Sequence, residues 1–488
     1  MIMFILRVFC VLLAGSMSIG WPATFDKKRV SKTLSDLEPE QPEEVTDTAA
    51  STKATKGTEK RFDWNKRTIV GDYERAGKRS PKWDEPALKA LNNFVKMRSY
   101  GTNSVPNQTK EIAEPCQQAI DAGCDDVLVR YINTRYVVGP ATKGTKSAAS
   151  GYFEVAKQFH ETKYSDIRKF YAYLRAAQAI KAAAGPTASN TPPEVYSLRR
   201  SAAAYLKEAL QDKSMPAVEV YEACHDLIET SKLNKPQYEK FFLALEPALL
   251  SNWSEESLVQ RLRGEFYIKY AWNARGSGFA DTVTEQGARF FEERLAIAEA
   301  ALERAWKLDP TDESIANDML IVEKGQGKGR DRMELWFRRA MELNTNNYAA
   351  CNRKLTYLEP KWYGSPEDVL SFGRECVNST KWGGRIPWIL VEAHLALVTY
   401  LDEDERKRYW LEPEVWTDLK TAFEKYFDRF PNAERKRYAW HAYQCEQWAD
   451  FIKQVSLMNR PDYDYFGGKE KFEGIMRRAK EHAGDQKR

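Results

Sequence analysis

The chain of 488 residues carries 74 Lys and Arg against 70 Asp and Glu, with 43% apolar and 12% aromatic residues. Such a length suits about three domains of ~150 residues or one long repeat array, and the apolar content supplies a sizeable core, which excludes a wholly disordered chain. A formal charge of +4 is too balanced for a dedicated nucleic-acid binder, which concentrates basic residues on one face.

Residues 1–20 combine an early Arg7, an apolar run from Val8 to Ile19, and small residues Gly15, Ser16, Ser18 and Gly20 near its end. A charged start, a short apolar run and small residues predict a secretory signal peptide cleaved after Gly20. The alternative, a retained anchor, would have to span a bilayer that needs ~20 apolar residues. No later segment is apolar enough to cross a membrane, so the expected location is exported, periplasmic or extracellular. Residues 21–65 read as a disordered linker. Asp36, Glu38, Glu40, Glu43, Glu44 and Asp47 are acidic with no base among them, and Pro39 and Pro42 interrupt any helix. A segment with so little to bury cannot offset its ordering entropy. It is either a tether for the folded part or a dispensable tail.

From Asp63 onward the apolar pattern has the helical period, and no alternating strand run stands out. Phe291, Leu295, Ala298, Leu302 and Ala305 are spaced by three and four and share one stripe. Breaks are short and chemically marked at Asp309-Pro310, at Gly325, Gly327 and Gly329, at Gly364-Ser365-Pro366 and at Phe430-Pro431. Ser365-Pro366-Glu367-Asp368 reads as a helix start: the serine caps free amides, the proline suits the first helical position, and the acids favour the positive dipole end. Arg304-Ala-Trp-Lys-Leu-Asp-Pro310 aligns with Arg339-Ala-Met-Glu-Leu-Asn-Thr345 at an offset of 35 residues, and the same step lands on Arg374-Glu375-Cys376. Paired helices recurring near 34 residues are the tetratricopeptide pattern, in which each pair hides its apolar face against the next. The fold class expected is all-α: a 66–250 N-terminal helical region and a 251–484 tetratricopeptide-like solenoid of helical hairpins.

ALERAWKLDPTDESIANDMLIVEKGQGKGRDRMELWFRRAMELN, LEPKWYGSPEDVLSFGREC and YFGGKEKF, with the upstream AWNARGSGFADTV and DAGCDDVLVRY, resemble an uncharacterised family of secreted bacterial proteins carrying a tetratricopeptide-like domain of unknown function. The likeness covers residues 66–480. It implies an all-helical fold and a bacterial source, and it implies no activity.

Six cysteines lie beyond the signal segment: Cys116, Cys124, Cys224, Cys351, Cys376 and Cys445. Cys351 and Cys376 stand equidistant from the Pro360–Ser365 turn between two predicted antiparallel helices, so they face each other and form the leading disulfide candidate. Closing such a loop would contribute ~3 kcal/mol if unstrained. Cys116 and Cys124 flank Ala122-Gly123 and form a second, local candidate. Cys224 and Cys445 either pair over a long distance or stay as buried thiols, and all six reduced in the core is the plain alternative.

Hydrolytic and nucleotide motifs are mostly missing. Gly139-Pro-Ala-Thr-Lys-Gly144-Thr-Lys-Ser147 misplaces the phosphate-loop lysine by one position and lacks a parallel-sheet context, so it reads as a loop. His441 and Cys445, four apart, offer two metal ligands where zinc needs at least three. No metal and no cofactor is expected. The suggestive signal is aromatic. Trp272, Trp336, Trp362, Tyr363 and Trp440 recur through the repeat region near Arg275 and Arg339, and Trp, Tyr and Arg on a concave wall are strong anchors for a protein, a peptide or a glycan. Any one tryptophan could instead fill space between helices, and Arg275 could serve helix carbonyls rather than a ligand carboxylate. The function expected is non-enzymatic binding of a protein or peptide through a concave groove. Its alternatives are an envelope-associated carbohydrate binder or hydrolase with a pocket inside the solenoid, and a structural spacer.

Overall fold

The computed structural model describes residues 47–139, 144–185, 191–231, 235–276, 278 and 282–485. The signal segment expected over 1–20, and residues 21–46 of the expected linker, lie outside them. The protein is 77% helix, with no strand among the described residues.

The first helix, α1, spans Asp47–Lys66, so the described part of the expected 21–65 linker is helical. The reason lies at its end. Arg61 reaches the buried Glu219 at 2.8 Å and Glu222 at 2.7 Å, and the Trp64 indole donates to Asp212 at 3.1 Å. Partners some 150 residues away fix a segment whose own sequence shows no apolar period. A π-helical turn, Arg67–Gly71, leads into α2 (Asp72–Ala76) and α3 (Asp84–Tyr100). Two short helices follow, α4 (Glu114–Asp121) and α5 (Val127–Asn133). Asp126 caps α5 by accepting from the amides of Leu128 and Val129, and it also accepts from the Tyr164 hydroxyl at 2.9 Å. Then come α6 (Lys146–His160), α7 (Asp166–Ala184), α8 (Pro193–Ala209), α9 (Ala217–Ser231) and α10 (Lys235–Trp253). Contacts divide the chain at Gly57, and one compact unit runs from Thr58 to Arg488. The border expected between 250 and 251 falls inside α10.

The next helices are α11 (Ser257–Arg275), α12 (Glu285–Leu308), α13 (Glu313–Gln326), α14 (Arg330–Leu343), α15 (Tyr348–Tyr357) and α16 (Pro366–Asn378). Their starts follow local chemistry. Thr284, Asp312 and Asn347 cap α12, α13 and α15 through side-chain oxygens, and Ser365 accepts from the Asp368 amide at 3.1 Å just ahead of Pro366, as that tetrapeptide predicts. α12, α14 and α16 end at Leu308, Leu343 and Asn378, each 35 residues after the last. Of the stripe on α12, Leu295, Ala298, Leu302 and Ala305 are fully buried, and Phe291 packs beside them. The chain closes with α17 (Trp388–Val398), α18 (Glu403–Trp410), α19 (Pro413–Arg429), α20 (Lys436–Gln444), α21 (Trp448–Ser456) and α22 (Lys469–Asp485).

Consecutive helices pack as pairs, α11 on α12, α13 on α14, α16 on α17 and α20 on α21, while α9, α11, α13, α15 and α17 touch in series. One hydrophobic core extends from Trp64 to Ala479 and a second gathers residues from Ile69 to Leu198. They meet at α7, whose Ile167, Phe170, Tyr171 and Leu174 face the first core while Ala172, Ala176 and Ala177 face the second.

All six described cysteines are free, buried thiols. The expected pairing of Cys351 with Cys376 is therefore not formed, although the hairpin brings both side chains together. They interact as thiols, with the Met341 sulfur 3.7 Å from Cys351. The local pairing of Cys116 with Cys124 is absent as well, and the Cys116 thiol donates to the Val129 carbonyl at 3.3 Å. Burial pushes the Cys116, Cys224 and Cys445 thiols up to about 12. With almost no thiolate at neutral pH, disulfide exchange is suppressed at these positions.

Candidate functional site

The series α9, α11, α13, α15, α17 makes a wall that carries half-buried charged side chains, among them Arg261, Glu265, Asp318 and Arg353. On α11, Arg261 lies over the Tyr221 ring of α9 at 4.5 Å, pairs with Glu265 at 3.1 Å and also binds Asp312. The Tyr221 hydroxyl donates to Glu265 at 3.1 Å. Further along, Arg353 of α15 pairs with Asp318 of α13 at 3.6 Å. Burial raises the Asp318 carboxyl to about 7; the Glu265 and Asp312 charges add to that rise, and Arg353 and Arg261 only partly oppose it.

At one end of this wall the sequence-predicted residues converge. Helix α11 finishes there in Arg275 before Gly276, α13 carries Lys324 in its last turn, and the turn after α15 brings Trp362 and Tyr363 alongside. Trp272 and Trp362 meet edge to face, with ring centres 5.8 Å apart. Arg275 lies 5.6 Å from one ring centre and 5.8 Å from the other, and Lys324 lies 5.1 and 5.0 Å from the same two. Two cations thus share two indoles, an arrangement favoured by the negative ring faces. Tyr363 stacks at a tilt on Tyr357 at 4.8 Å and is 44% exposed. Gly327, at φ +63°, allows it: a side-chain carbon there would strike the Tyr363 ring.

The patch is cationic. Burial pulls the Lys324 ammonium below its ordinary value, and Lys361, Arg353 and Arg275 pull it further, against one nearby carboxylate, Glu359. Glu359 already pairs with Lys361 at 2.7 Å and accepts from the Tyr400 hydroxyl at 2.9 Å. Arg275 donates to the carbonyls of Gly276 and Gly278, at 3.4 and 3.1 Å, so it serves the chain just past its helix rather than a carboxylate among the described residues. The indole N–H groups of Trp272 and Trp362 are buried without an acceptor among the described residues. Unsatisfied donors of this kind are costly unless something accepts from them.

The remaining predicted residues lie elsewhere. Trp336 is buried, edge to face with Trp306 at 5.4 Å, and Arg339 caps the pair at 5.0 and 4.4 Å. That is interhelical filling, as one reading of the tryptophans allows. Trp440 packs on Phe466 and Tyr443 near the C-terminal end. Sequence reasoning passed over Lys324. Its signal is the parallel with Arg275, a base in the last turn of a helix that glycine closes.

Searched against models of known protein families and against curated proteins, the chain matches none.

Proposed function

We propose that the protein is a non-enzymatic, exported helical-repeat protein of tetratricopeptide-like build, and that it binds an acidic segment of a protein or peptide. Support for the repeat reading comes from helix ends recurring every 35 residues and from alternate helices touching in series. The observation that carries the binding reading is the joint between α11, α13 and the turn after α15. There Trp272 and Trp362 carry indole N–H groups without an acceptor among the described residues, beside two cations, Arg275 and Lys324, that form no ion pair among them. A carboxylate with an apolar neighbour suits that patch: it answers the cations and covers the exposed part of the rings.

The test is fluorescence anisotropy with two labelled nonapeptide pools, one rich in Asp and Glu and one with the matching amides. The acidic pool binds the full chain, the amide pool binds at least tenfold more weakly, and Trp272→Ala with Arg275→Ala removes the difference while leaving helical content unchanged. Equal affinity of the double variant and the wild type for the acidic pool defeats the proposal.

A further inference from the structure

The N-terminal core holds a small cavity of about 10 Å³ between α3, α5 and α7, lined among others by Arg98, Arg135, Arg168, Tyr131 and Tyr171. That is room for one water-sized particle. Three guanidinium groups around so small a space demand an account of their countercharges.

Arg98 donates to Glu219 at 2.6 Å and lies 3.3 Å from Glu222. Those two carboxylates also serve Arg61, at 2.8 and 2.7 Å. Both acids are thus in direct ion pairs with Arg61 and Arg98. Arg168 is 4% exposed and, among the described residues, donates only to neutral oxygens, Asn65 Oδ1 at 3.2 Å and Thr68 Oγ1 at 2.8 Å. Arg135 lies over the Phe94 and Tyr136 rings, at 6.0 and 5.5 Å. Among the described residues neither Arg135 nor Arg168 has a carboxylate within salt-bridge reach. An arginine cannot shed its proton, and a buried cation lacking an anion is strongly unfavourable. Burial pulls the Arg168 guanidinium below its ordinary value; the Glu219 charge opposes this without forming an ion pair, and the neighbouring Arg98 charge adds to it.

The hydrogen-bond inventory points into the same space. Arg98 Nε, Arg168 Nε and the Tyr131 hydroxyl are all buried without an acceptor among the described residues. Each is a donor, and each belongs to a residue that lines the cavity. A water molecule could accept from two of them but would leave the charge excess untouched. A single monovalent anion answers both deficits at once.

We propose that this cavity is a binding site for one halide-sized anion, chloride in ordinary media, held by Arg98, Arg135, Arg168 and Tyr131. Tetrahedral oxyanions are too large for it. The bound ion ties α3, α5 and the π-helical turn Thr134–Val138 to α7, so the stability of the N-terminal core responds to chloride through ordinary ligand linkage. The site lies apart from the aromatic patch at the ends of α11 and α13, and its success or failure is independent of that patch.

The experiment follows thermal unfolding of the full chain as chloride replaces gluconate at constant ionic strength. Expected is a saturable rise in Tm, reproduced by bromide and not by sulfate at matched ionic strength, together with ³⁵Cl NMR line broadening that bromide displaces. Arg135→Gln, at a half-buried position, weakens the apparent halide affinity by roughly tenfold or more, the loss expected of one charge-assisted hydrogen bond. Tyr131→Phe weakens it by a smaller factor and keeps the core packed, so it carries the test if the arginine variant fails to fold. A Tm that tracks ionic strength whatever the anion overturns the proposal, and so does a halide response unchanged in Tyr131→Phe.

Discussion

Asp318 carries a burden that its sequence neighbours do not show. Its carboxyl titrates near 7 in the folded protein against a reference value of 3.8, chiefly because burial disfavours the charge. The folded state therefore holds an extra proton between those two values. Stability falls as pH rises from about 4 to about 7, and the whole penalty is present above that range. Asp318→Asn removes it. Urea unfolding should show the variant gaining on wild type as pH rises from 4 to 8, by at most ~4 kcal/mol, and by less because its side chain retains 15% of its exposure. Parallel pH profiles for the two proteins would reject this account. No spacing in the sequence marks Asp318, since its partners Glu265 and Arg353 come from other helices. The same blindness applies to tryptophan. Trp336 and Trp388 are 4% and 8% exposed, whereas Trp272 and Trp362 are only partly covered, and the four read alike in sequence. Burial of a ring depends on which helix arrives to cover it, a choice made by packing. What was legible is chemical grouping: Trp272, Arg275, Trp362 and Tyr363 were picked as anchors for their residue type, and they meet.

At the scale of elements, the sequence carries most where chemistry is local. The α12 stripe, the Ser365 start and the 35-residue step depend on side chains within a turn or two of one another, and they are present at the residues that show them. Illegible elements are those stabilised from afar, such as α1 with its docking of Trp64 and Arg61, and the π-helical turns. Close helix approach lies between the two cases. Gly264 stands on α11 where α12 crosses, and a Cβ there would enter the Leu302 side chain. Gly264→Ala should therefore lose ~1–3 kcal/mol by overpacking, despite the better helix propensity of alanine. Gly474, on α22, has nothing within 4 Å of the same added carbon. Gly474→Ala should gain up to ~1 kcal/mol from propensity alone. Urea midpoints of the two variants give opposite signs if backbone approach, rather than glycine content as such, determines the cost. Matching signs would show that α11 and α12 can separate to admit the methyl group.

Across the whole molecule, α7 explains why the two hydrophobic cores are continuous along the chain. A helix apolar on one side ends a core, but α7 is apolar on two sides and joins both. Beyond it the first core continues helix by helix to Ala479, and each helix contacts mainly its neighbours in sequence and the next but one. In such an array the stability of one end is felt through adjacent interfaces and fades with distance. Phe466 tests that. It is 1% exposed and touches the rings of Trp440, Phe451 and Phe472, with centres 6.2, 6.5 and 5.2 Å away, which places it where α20, α21 and α22 meet. Phe466→Ala leaves a cavity costing ~3–5 kcal/mol. Amide hydrogen exchange should then accelerate throughout α20–α22, decline through α19 and α17, and leave α3, α5 and α7 at wild-type protection, because the free energy of opening is local to the damaged interface. If exchange rises equally in all helices, the chain instead unfolds as one unit, and α7 transmits instability as efficiently as it shares side chains.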